Sequence, residues 1–148
     1  MRRDLALATF YWMLLVLWML LIFCFSAQAA HQSKEVSLGL TDLLVRFINF
    51  CFPLSDVSVA SWHSMIRKMA HLFLYFVLGI LMIHALRTSR ISWKRGLFLA
   101  LLFCFLYAVS DEYHQFFIPG RGAQASDVVL DSGGSALGVL SYYLWKRK

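Results

Sequence analysis

Apolar residues dominate four stretches of membrane-spanning length, roughly 8–28, 63–86, 96–117 and 126–145. A transmembrane helix needs about 20 such residues, so the pattern predicts an all-α integral membrane protein with four transmembrane helices in a single domain, 1–148. The first stretch is uniformly apolar around Trp12 and Trp18 and reads as scaffold or anchor. After it, Leu40, Leu43, Leu44, Phe47, Ile48 and Cys51 recur at helical spacing opposite Asp42, Arg46 and Asn49, and Pro53 stops the run. That alternation predicts a short amphipathic helix lying on the membrane surface. Ser61 is the expected cap of the second span.

The polar positions are not scattered. Arg67, His71 and Tyr75 stand at i, i+4 and i+8 on one face of the second helix, with Lys68 beside them. The third helix is plainly apolar from Gly96 to Val109, about 21 Å at 1.5 Å per residue. Ser110 to Gln115 then either continue it within the bilayer or line a wet dent, and Pro119-Gly120 ends it. The fourth opens at Ser126 and sets Asp127, Asp131, Gly134 and Gly138 on one stripe. Gly134-x-x-x-Gly138 lets helix backbones approach closely, so the aspartates on that stripe should face protein.

Composition changes the picture only in class. Of 148 residues 60% are hydrophobic and 15% charged, which excludes an ordinary soluble domain. The net charge of +6 is a topology signal. The N-terminus, the 87–95 loop and the C-terminus hold nine of the 14 basic residues and, of the 8 acids, only Asp4. By the positive-inside rule both termini are cytoplasmic, and segments 29–62 and 118–126 face outward. Nothing else supports nucleic acid as a partner. Ala27-Gln28-Ala29 has the form of a signal-peptidase site, but the apolar run before it exceeds the usual signal core of about 7–15 residues. Cys24, Cys51 and Cys104 show no metal, disulfide or redox spacing.

The candidate chemistry therefore gathers at the outer end of three helices. Ionisable groups at membrane depth mark a functional site by default. Asp127 suits a helix N-terminus. Asp111 and Glu112 near a C-terminus, and Arg67 and Lys68 near an N-terminus, oppose the helix dipole, which mutual pairing would resolve. Three readings stay open. His71, Asp111, Glu112 and His114 could act as acid/base groups, with Ser110 the best placed nucleophile. Arg67, Lys68, Tyr75, Gln115, Arg121, Asp127 and Asp131 could bind an amphipathic ligand. An interhelical ion network is the plain structural alternative. Without a ligand-spacing motif no metal is expected, and no other cofactor. His31, His63 and His84 read as ordinary polar residues. A transporter would need charged groups in the inner half of a span, which the sequence lacks.

In order, Arg67-Lys68-x-x-His71-x-x-x-Tyr75-x-x-Leu78-Gly79, Ser110-Asp111-Glu112-x-His114-Gln115, Pro119-Gly120-Arg121 and Asp127-x-x-x-Asp131-x-x-Gly134-x-x-x-Gly138 closely resemble the VanZ-like family of membrane proteins. The resemblance covers roughly 60–140 and extends to the end of the first helix, Phe25-Ser26-x-Gln28. It implies a multi-pass protein of the bacterial cytoplasmic (inner) membrane, related to a namesake that confers resistance to the glycopeptide antibiotic teicoplanin. The implied partner is a membrane lipid or envelope precursor, and an oligomer is compatible with four short spans. Asp131 stands where Asn or Asp is expected and gives the more acidic form of the site, and Gly133 departs from the family pattern, in which an apolar residue is commoner.

Overall fold

A computed structural model describes residues 2–27, 59–119 and 122–146. The expected surface helix over Leu40–Cys51, Cys51 itself, Arg121 and the side chain of Arg67 lie outside the described residues. Four helices follow one another: α1 (Arg2–Ser26), α2 (Val59–Thr88), α3 (Trp93–Gln115) and α4 (Ala125–Lys146). No strand interrupts the described residues. Helix α2 begins before Ser61, which is therefore within the helix and not at its cap. Helix α3 keeps its geometry through Asp111–Gln115, so these polar residues sit on regular helix.

Three of the helices, α1, α2 and α3, contain segments long and apolar enough to cross a membrane: Leu5–Ser26, Lys68–Thr88 and Trp93–Gln115. Helix α4 has 22 residues, about 33 Å of helix, but it is diluted by serine, glycine and its two aspartates. Its exterior is nonetheless apolar, with Val129, Leu137, Leu140, Leu144 and Trp145 exposed. Helices α1 and α3 likewise expose phenylalanine and leucine along much of their length. Such a surface suits lipid and not water.

Helix α2 is the hub: it packs chiefly against α4 and also against α1 and α3. The α2–α4 seam has almost no side chains. A Cβ on Gly134 would lie 2.6 Å from the Leu72 carbonyl oxygen, and one on Gly138 or Gly79 would overlap the carbonyls of Phe76 and Ser135. Residues 72 and 76 thus face 134 and 138 in register, so the two helices run parallel with backbones touching. Helix α3 returns against both and buries its own small stripe, Gly96, Ala100, Cys104 and Ala108. Among the described residues, three hydrogen bonds tie α1 to the rest of the bundle, one of them from Trp12 Nε1 to Ser89 Oγ at 2.9 Å. Trp18 Nε1 donates to the Leu74 carbonyl at 2.9 Å, and the Tyr107 hydroxyl donates to the Met19 carbonyl at 2.6 Å. Trp18→Phe and Tyr107→Phe should each lower thermal stability in detergent by about 1 kcal/mol, the ordinary worth of such a bond. Unchanged melting of both variants would show that neither bond helps to hold α1.

At the opposite end α2 closes with a Schellman motif. Arg90 adopts φ 62°, the Ile91 amide donates to Leu86 and the Arg90 amide to Arg87. Arg87, Arg90, Lys94, Arg95 and Lys146 populate that basic end, whereas Asp111, Glu112, Asp127 and Asp131 populate the acidic one.

Candidate functional site

The parallel course of α2 and α4 puts the polar faces of their N-terminal halves side by side, and α3 delivers its C-terminal turns between them. Three of the expected site residues meet there. His71 Nδ1 stands 3.8 Å from Asp131 Oδ2, and donor atoms of His71, Asp111 and Asp131 all lie within 4.8 Å of one another. His71 is 19% exposed at its side chain and Asp131 3%; Asp111 is also buried. Each comes from a different helix.

Polar satisfaction is incomplete. Gln115 Nε2 donates to Asp111 Oδ2 at 3.3 Å, while Asp111 Oδ1 and Asp131 Oδ1 accept nothing. Tyr75 is fully buried. Its hydroxyl feels the carboxylates of Asp111 and Asp131 without closing a hydrogen bond. Ser132 Oγ and Ser26 Oγ are buried and unpartnered as well. Buried polar atoms normally find partners, and each exception needs an explanation such as a catalytic role or an unseen water or ion. An imidazole nitrogen with two carboxylate oxygens is also a donor set that suits a divalent ion. Spacing along the sequence could not disclose it, because its members are contributed by three helices.

The remaining expected residues divide. Lys68 Nζ lies 3.9 Å from Asp127 Oδ1 at the half-exposed rim. Glu112, expected as an acid/base group, uses Oε1 to accept the Gln124 backbone amide at 2.6 Å, latching the α3–α4 connection to α3. Glu112→Gln should keep that bond, whereas Glu112→Ala should cost about 1.5–3 kcal/mol, as expected for a bond to a charged group. A thermal shift separating the two variants checks this; equal losses would mean that Glu112 does something other than latch. His114 stands apart from the triad. Its ring lies against Phe23 of α1, with centroids 4.6 Å apart, and its Nδ1 is unpartnered. Gly134 and Gly138 lie in the α2–α4 seam, whereas Gly133 faces open space.

Sequence reasoning gave Ser26 and Ser132 no place in the site, and it read the basic end only as a topology signal. There His84 stacks on Tyr11 at 4.0 Å. It borders a cavity of about 530 Å³ that is also lined by Arg87, Trp93, Tyr142, Tyr143 and Lys146. Aromatic and basic residues together are the usual dressing of a membrane interface. Only the crowding of aromatics at the end of α4 hinted at it.

A family model described as VanZ/LLP1 matches residues 10–146. No curated protein and no solved structure matches the chain.

Proposed function

The chain belongs to the VanZ/LLP1 family, and from that premise we propose a four-span cytoplasmic-membrane protein whose acidic end faces outward and receives the polar headgroup of an envelope lipid or lipoglycopeptide. The observation that carries this reading is the convergence of unpaired buried oxygens, from Asp111, Asp131 and Tyr75, where α2, α3 and α4 meet. Such atoms cost free energy in the empty protein and regain it when a polar ligand arrives. The orientation follows from the cations at the other end, which belong on the cytoplasmic side. An amphipathic ligand suits this location because its tail can stay among the exposed apolar side chains while its headgroup enters. The glycopeptide resistance of the family's namesake would follow from occupancy of envelope precursors at this site.

Native lipid analysis of protein purified in mild detergent tests it. Wild-type protein should retain a defined lipid class that His71→Gln and Asp131→Asn lose by about 10-fold or more, the scale of one or two polar contacts. The same lipid profile in all three folded proteins would remove the proposal.

One observation favours a second reading. His71 faces Asp131 as a base faces its orienting carboxylate. An enzyme built on that pair would convert an added envelope lipid, and would stop doing so in His71→Gln. A lipid that is bound and recovered unchanged excludes it.

A further inference from the structure

We infer that His71, Asp111 and Asp131 hold one divalent transition-type cation, Zn²⁺ or Mn²⁺ in character, with a coordination position open towards the headgroup. This deepens the reading of the same junction as a headgroup site and rests on it for the identity of the fourth ligand.

The geometry comes first. One nitrogen and two carboxylate oxygens lie within 4.8 Å of one another. Around a tetrahedral ion with ligand distances of about 2.0–2.2 Å, donors stand roughly 3.3–3.6 Å apart, so movements of under about 1 Å per side chain close the shell. Side chains of this size move that far within a rotamer.

Charge comes second. Two carboxylates, Asp111 and Asp131, share a poorly solvated space, and one divalent cation would neutralise both. Buried charges are paired or coordinate metals.

A third observation concerns a side chain outside the three donors. The Tyr75 hydroxyl is wholly buried and has no hydrogen-bond partner among the described residues. It is placed to bond a coordinating carboxylate, or a ligand atom on the ion, as outer partners of metal sites do. An imidazole nitrogen favours zinc over calcium, which takes about 6–8 oxygens that three residues cannot supply, and the two carboxylates also suit manganese. An ion with two carboxylates and one imidazole keeps an open position, and a lipid phosphate oxygen is the ligand of matching charge. The carboxylates alone would repel that phosphate.

Titration of tag-free, chelator-stripped protein in lipid-free detergent tests the ion alone. Co²⁺ should bind at about one ion per chain with visible absorption bands, and Zn²⁺ should displace it while Ca²⁺ should not. His71→Ala and Asp131→Asn should weaken Co²⁺ binding by about 100-fold or more, since even outer-shell partners are worth about 10–100-fold. If these variants fail to fold, the wild-type titration still decides: no saturable one-to-one signal overturns the inference. Lipid retention with and without chelator separates the two claims. An ion that binds while lipid retention ignores it sinks the headgroup reading alone. Lipid retained selectively by a protein that binds no ion sinks the metal alone.

Discussion

Gly138→Leu is expected to separate α2 from α4 and leave little folded protein. A side chain at this position would start inside the Phe76 carbonyl, with Ile80 N also 3.2 Å from its first carbon. No rotamer relieves an overlap at Cβ, so the backbones themselves must part along the whole seam. Overpacking costs about 1–3 kcal/mol in ordinary cores; here at least about 3 kcal/mol is expected, because small residues supply most of the attraction between membrane helices by letting them come close. Gly133→Ala is the internal control. Nothing lies within 4 Å of its added carbon, and replacing a mid-helix glycine with alanine should stabilise by about 0.5–1 kcal/mol. Melting curves of both variants in detergent, beside wild type, give the comparison. Equal melting of Gly138→Leu and wild type would mean that α2 and α4 do not touch as described.

Asp111→Asn is expected to do two opposite things: raise the stability of the chelated, ligand-free protein and abolish selective lipid retention. Asparagine keeps the shape and can still accept from Gln115, which donates to this side chain at 3.3 Å. It removes one of two carboxylates that crowd the same buried space. Relieving like-charge crowding in a buried space is worth about 1–3 kcal/mol, the equivalent of one or two pKa units. Sites shaped for a ligand commonly trade stability for function in this way. A structural ion network predicts the reverse sign, a loss of about 3–5 kcal/mol on breaking a buried pair. The direction of the melting shift therefore decides between a ligand site and a brace.

The residues that made the fold legible are those whose spacing carries the answer by itself. The apolar run of α1 and the Asp131–Gly134–Gly138 stripe of α4 needed no partner to be read, and the seam lies where the stripe pointed. Helix α3 held a comparable signal that went unused. Gly96, Ala100, Cys104 and Ala108 recur every four residues, and the same stripe runs on to Glu112, with Asp111 and Gln115 flanking it. It announces which polar residues turn inward, while Tyr113, Phe116 and Phe117 are exposed. Other assignments had no local signal. Nothing near Glu112 distinguishes a backbone latch from a proton carrier, because its partner amide lies across a chain reversal at Gln124. His114 reads as a companion of His71 until the rotation of α3 turns it towards Phe23 of α1. The triad itself depends on the azimuth of three helices at once, which periodicity fixes for each helix but not between them.

The seam without side chains also divides the molecule mechanically. Helices α2 and α4 interlock backbone to backbone, so they behave as one plank, and His71 and Asp131 are nailed to it. Asp111 belongs to α3, which meets that plank through side chains and is expected to be the element that yields. Any widening of the mouth is then a displacement of a single door against a fixed frame. Distance labels on α2 and α4 should stay still when a ligand enters, while a label on the α3 end moves relative to both.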